Sequence, residues 1–260
     1  MGKPTSQDVV RRLVILKSQV IYSLGVPPLD YFKQKLAELS KEQQNDILRN
    51  FKEASGQIQS FLKSSHLWKH MTDAEREFIE VDLLHMNIQV HKDTTWRVES
   101  AIVLMWALRM IDEFPAFDTQ TNPEILKKIQ DEYLLKFSGG EELFPADVLE
   151  RQRSIAELWH WRSRTRELIE RGDKIPPEIA KLGLTSYDKI IEMSASEALK
   201  SGDIPQVIDN DFVACGKAFR DLTDEEWQGV RSVIMERHYA MNWLCGYAPG
   251  NKWDRTPTDT

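Results

Sequence analysis

The chain has 260 residues, 41% of them apolar and 29% charged, with a formal net charge of −7. These values are ordinary for a soluble globular chain large enough to build its own core. They argue against a surface that coats nucleic acid throughout, and leave room for one local basic patch.

The longest apolar run, residues 101–108, would span about 12 Å as a helix against a bilayer core of about 30 Å, so no membrane-spanning helix is expected. The first residues carry no apolar stretch of the kind a secretory signal needs. Cys215 and Cys245 form no CxxC pair. A disulfide framework is therefore not expected, and a reducing, cytoplasmic setting is.

Helical spacing dominates from the start. Val9, Leu13, Leu16, Val20 and Leu24 step by fours and threes along one face, and Pro27-Pro28 follows Gly25 to stop that helix. A short helix is expected over 31–39. Ser40 with Gln43 reads as a capping box for a helix whose apolar face runs Ile47, Phe51, Ala54, Ile58 and Phe61, with Gly56 as a weak point. Thr72 with Glu75 caps another, carrying Phe78 and Ile79. Asp93 or Thr94 is placed to cap the most apolar helix, over 95–111. Asn122-Pro123 reads as the cap and first position of a helix reaching Leu135, and Ser138-Gly139-Gly140 as a loop.

A long helix is expected over 146–171, ended by Gly172, and another over 187–200, ended by Gly202. Residues 203–221, with Pro205 and Gly216, read as loop or short helix. Thr223 with Glu226 is a third capping box, opening a helix through Leu244. The stretch 246–260 holds prolines and Gly250, and is expected to be non-helical. No run alternates with period two long enough to demand a strand. The expectation is one all-α domain over 1–260, of about nine helices, with its C-terminal tail folded back on them, because Tyr247 and Trp253 favour burial.

Motif chemistry is sparse. There is no phosphate loop, no GxGxxG, no GxSxG and no HExxH, and no cofactor or metal is expected. His66 and His70 are four apart but lack further ligands nearby in sequence. The segment 151–171 interleaves arginines with tryptophans. Trp159, Arg162 and Arg166 share a helical face beside Arg164, a pattern that serves anion recognition or pairing with acidic neighbours. Arg97 and Glu99 enter just before the apolar run and must find partners.

The last helix carries Glu236, Arg237, His238 and Asn242, and the tail adds Trp253, Asp254 and Asp259. Two readings stay open. In one, tail carboxylates are answered by Arg97, Arg162 or Arg164 as a clamp. In the other, these residues line a polar pocket with His238 and Glu236 as general base and acid. Against the second, positions 236 and 238 lie about 200° apart around a helix, so at most one of them points into any given pocket.

The stretch ERHYAMNWLCGYAPGNKWDRTPTDT (236–260) closely resembles the end of a bacterial family, domain of unknown function 4272. The resemblance continues in TWRVESAIVLMWAL (95–108), LWKHMTDAEREF (67–78) and LWHWRSRTREL (158–168). Met241 stands where the family pattern has Leu, and Arg255 where it has an acidic residue. The resemblance implies that these blocks belong to one unit, and it carries over no activity or catalytic residue. The functional expectation is a non-enzymatic binding protein for a protein partner or an anionic small ligand, acting through the Trp159/Arg162/Arg166 face, with no membrane and no nucleic-acid role. The alternative is a hydrolase or transferase acting on a phosphate- or carboxylate-bearing substrate.

Overall fold

The computed structural model describes residues 2–131 and 143–258. Among these, nine α-helices form: α1 (Ser6–Leu24), α2 (Leu29–Ala37), α3 (Lys41–Ser64), α4 (Asp73–Glu80), α5 (Ile88–Ala107), α6 (Ala146–Glu170), α7 (Pro177–Ala180), α8 (Tyr187–Ser201) and α9 (Asp224–Leu244). The three capping boxes expected at Ser40, Thr72 and Thr223 are all made, and Thr5 with Asp8 makes a fourth. In each, the hydroxyl accepts from the third amide of the helix while the acidic or amide side chain there accepts from the cap backbone. Replacing Thr223 by alanine is expected to lower the unfolding free energy by about 1 kcal/mol, read from urea titrations, with no change of fold.

Helix α5 starts earlier than expected. Its cap is Asn87, whose side chain accepts from the amides of Gln89 and Val90, not Asp93 or Thr94. It also stops at Ala107, where Arg109 adopts a left-handed φ of 57°, rather than running on to residue 111. The helix expected after Asn122 is a 3-10 segment, Pro123–Lys128, with Ile129 already extended. Leu135 and Ser138-Gly139-Gly140 lie outside the described residues. The C-terminal stretch contains two single 3-10 turns, Pro249–Asn251 and Trp253–Arg255, where no helix of any kind was expected.

Residues 203–221 hold a feature that the sequence reading missed. Strands β1 (Val207–Ile208), β2 (Asp211–Ala214) and β3 (Lys217–Ala218) form an antiparallel meander in the order β1-β2-β3. Register pairs Val207 with Phe212 and Val213 with Ala218. Both turns are two residues long with positive φ throughout: Asp209 and Asn210 at 49° and 61°, Cys215 and Gly216 at 53° and 74°. That is the turn geometry whose twist matches paired strands. The fold is thus mostly α with one small sheet.

Two apolar clusters form the interior, and α1 belongs to both. Val9, Val10, Leu13, Leu16 and Val20 join α5, α6, α8, α9 and the sheet. Val14, Ile15 and Tyr22, on the other side of α1, join α2, α3 and α4. Helix α1 is apolar on nearly all sides, as a helix with packing partners on both flanks must be. The tail does fold back: Trp253 is buried, edge-on to Tyr239 and Trp243. Tyr247 does not follow it. It stays 46% exposed, its hydroxyl donating to Glu150 and its ring under the Arg153 guanidinium.

Candidate functional site

The conspicuous polar residues of α9 point in different directions because successive helical positions are turned by about 100°. Glu236 faces α5, where its carboxylate accepts from Ser100 at 2.6 Å and lies 3.3 Å from Arg97. Arg237 enters the core and pairs with Glu99 at 2.6 Å, both side chains fully buried. His238 faces α6, with its Nδ1 2.9 Å from Nδ1 of His160. The amide of Asn242 donates to His238 Nε2 and to the carbonyl of Pro257. Burial, the neighbouring imidazole of His160 and the charge of Arg153 push the His238 pKa down to about 3. Glu236 and His238 therefore share no cavity, as their spacing requires.

The aromatic-arginine face of α6 is turned inward. Trp159 is packed among Phe117, Phe212 and Phe219. Arg162 forms a two-pronged ion pair with Asp211 on β2, both contacts 2.6 Å, and lies over the Phe219 ring. Asp211 also accepts from the amides of Phe212 and Arg220. Burial alone would raise its pKa, but Arg162 and these amides outweigh burial and hold the carboxyl below its ordinary range. Arg166 donates to Glu170, Asp224 and the Leu222 carbonyl, and Arg164 pairs with Glu167. These contacts answer the need for acidic partners and leave no open face formed by Trp159 and Arg162. Among the described residues Arg97, Arg162 and Arg164 pair with Glu236, Asp211 and Glu167, and none of them with a tail carboxylate. Asp254 is exposed, and Asp259 lies outside the described residues. The tail is held instead by Trp253 itself, whose carbonyl accepts from the hydroxyls of Tyr239 and Thr256, and by Trp243 donating to the Asn251 carbonyl.

Several of the singled-out residues do meet at a solvent-open groove of about 310 Å³ between α4, α5, α9 and the tail. Arg97, Trp253 and Asp254 line it, with Glu75, Phe78, Asp93 and Tyr239. Arg97 lies over the Tyr239 ring and Arg12 over the Trp253 ring, so two cation–π contacts brace this wall. Arg12 also bonds Glu75 and the His70 carbonyl. Burial of Arg97 favours its neutral form, yet Glu236, Tyr239, Glu75 and Asp93 outweigh burial and raise its pKa, which places the guanidinium in a negative field. Arg12 and Glu75 escaped the sequence reading. The signal for them was local: an arginine inside the apolar run of α1, and a capping glutamate with one oxygen to spare.

Among the described residues no group of three or more His, Cys, Asp or Glu could hold a metal ion, and no helix is long and apolar enough to cross a membrane. The molecule is a mostly helical protein with buried ion pairs and one groove of acidic lining. Residues 36–160, just under half of the chain, match the family model described as Domain of unknown function (DUF4272). The matched segment contains the blocks at 67–78 and 95–108, and hence the α4 and α5 walls of the groove. It ends at His160, so α9 and the tail lie beyond it. No curated protein and no solved structure matches the chain.

Proposed function

We propose that the protein is a non-enzymatic binding protein whose groove receives a positively charged group from a protein partner. The charge balance of the groove carries this reading. Glu75, Asp93 and Asp254 line it with Arg97; Arg12 answers Glu75 and Glu236 answers Arg97, which leaves the two aspartates. Asp93 acts on Arg97 only through space, and neither Asp93 nor Asp254 forms an ion pair among the described residues. A lysine or arginine side chain of a partner would gain both carboxylates and an apolar wall of Phe78 and Val90. An anionic ligand or a nucleic-acid phosphate would meet the same carboxylates with repulsion. Binding rather than hydrolase or transferase chemistry is supported by the commitments of Glu236 and His238, each tied to other protein groups. A cytoplasmic, reducing setting goes with this reading, since Cys215 and Cys245 are both free.

The test compares a lysine-bearing pentapeptide with its Nε-acetylated counterpart by isothermal titration at physiological salt. The charged peptide is expected to bind at least about tenfold more tightly, because acetylation removes the charge and leaves the stem. Asp93→Asn combined with Asp254→Asn is expected to erase that preference. Equal binding of the two peptides, or a preference that survives the double substitution, overturns the reading.

A further inference from the structure

A second cavity, of about 450 Å³, opens between α1, α3 and the turn that follows α4, and it shares no lining residue with the groove. It lies where α3 stands off from the body. Helix α3 has a regular apolar face, yet Phe51, Ile58 and Phe61 on that face remain half-buried, and only Ser55 and Leu62 are fully covered. The cavity lies along one edge of that face, where Phe51 lines it together with Leu48, Ser55, Gly56 and Gln59.

Gly56 sits in the middle of α3 on the cavity wall, and a Cβ built there would meet no atom within 4 Å. A glycine inside a helix is destabilising relative to alanine, and here no close backbone approach requires it. What its missing side chain leaves is room. Leu48, Phe51, Tyr22, Val81 and Leu83 give it an apolar, partly aromatic side, and the exposed Lys52, Glu80 and Asp82 line it as well. Among its polar groups Gln59 is half-buried. Gln59 uses its amide nitrogen toward Ser55, while its amide oxygen has no partner among the described residues. The volume lies in the range of small-molecule sites.

We propose that this cavity is a binding site for a small aromatic molecule bearing an N–H or O–H donor, its ring filling the space over Gly56 between Phe51 and Tyr22, its donor meeting the Gln59 amide oxygen. Nothing in the groove is needed for this site, so the two proposals stand or fall separately.

Indole and 1-methylindole are suitable probes, alike in shape and differing in the single N–H. Isothermal titration of the full chain is expected to give saturable one-to-one binding of indole, with 1-methylindole weaker by about fivefold, the worth of one hydrogen bond. Gly56→Leu is expected to weaken indole binding by about tenfold or more while the melting temperature holds or rises, since leucine is the better helix former and fills the space. Gln59→Leu, which leaves the cavity open, is expected to abolish the preference for indole over its methylated analogue. Absence of saturable indole binding, undiminished binding by Gly56→Leu, or a preference that persists in Gln59→Leu each overturns the proposal. Asp93→Asn with Asp254→Asn is expected to leave indole binding unchanged, so failure of the groove reading registers separately.

Discussion

Replacing Glu99 or Arg237 singly is expected to lower the unfolding free energy by about 3–5 kcal/mol, the usual consequence of leaving one member of a buried ion pair uncompensated. Both side chains are fully buried. Arg237 Nε and Nη2 donate to one oxygen of Glu99, at 3.0 and 2.6 Å. The remaining capacity of the guanidinium goes to the segment that follows α5. Nη1 donates to the carbonyls of Pro115 and Ala116, and Nη2 to that of Thr119. Glu99 in turn accepts from the amide and hydroxyl of Thr121. The pair therefore fastens an irregular connection across α5 and α9, and it gives three carbonyls of that connection donors.

An order of severity follows. Glu99→Gln keeps an acceptor for Thr121 and is expected to be the mildest change. Arg237→Met leaves a buried carboxylate without its counter-ion and three carbonyls without these donors, and is expected to be the worst. The double substitution Glu99→Met with Arg237→Met removes the unpaired charge and is expected to recover part of the loss, but not all, because the carbonyls stay unserved. Urea denaturation of the four proteins measures the series. Single substitutions that shift stability by less than about 1 kcal/mol would show that the segment finds other donors, by local rearrangement or by water.

What could be read from sequence was local. Capping boxes need only residues three apart, and every one expected is present. The cap of α5 was misplaced because its first turns, residues 88–95, are largely polar, while Asp93 and Thr94 directly precede the apolar run. The sheet was missed because strands of two to four residues leave no periodicity to detect. Its signal lay in the turns, where Asn210 and Gly216 are residue types that tolerate positive φ. At the site, the need of Arg97, Glu99 and Arg162 for partners was legible, since buried charge demands it. Which carboxylate answers which arginine was not. Arg237 meets Glu99 across 138 positions and Arg162 meets Asp211 across 49. Such pairings follow from helix docking, which no local pattern encodes. For the same reason the tail was rightly expected to return while its means of attachment was not. Among the described residues an indole with its own backbone carbonyl holds the tail, and Asp259 lies outside them.

Acidification is expected to destabilise the protein well above the range where carboxylates titrate, and His238 is the main cause. The hydrogen bonds fix its protonation. The Asn242 amide nitrogen is a donor, so His238 Nε2 must accept and carry no proton. The proton then resides on Nδ1, which donates to His160 Nδ1. A second proton on His238 would set Nε2–H against the Asn242 NH2 group and place an unpaired charge in the core. Burial first, then His160 and Arg153, put the folded-state pKa at about 3, while the unfolded chain has an ordinary imidazole near 6.5. Above about pH 6.5 neither state binds the proton and stability is complete. Between about 6.5 and 3 the unfolded state holds one proton more than the folded state, and stability falls by up to about 1.4 kcal/mol per pH unit. His91, whose pKa burial also lowers, adds in the same sense. Asp211 contributes only at the acid end. Its depressed pKa adds stability that is present above about pH 4 and is lost as the pH falls below that. Urea midpoints between pH 7.5 and 4.5 therefore isolate the imidazoles. In His238→Asn the slope is expected to drop by up to about 1.4 kcal/mol per pH unit toward the acid end of that range, whatever the variant loses in absolute stability. A slope as steep as that of the wild type would mean that His238 takes up its proton inside the fold, and that the hydrogen-bonded chain from Pro257 through Asn242 to His160 does not hold it neutral.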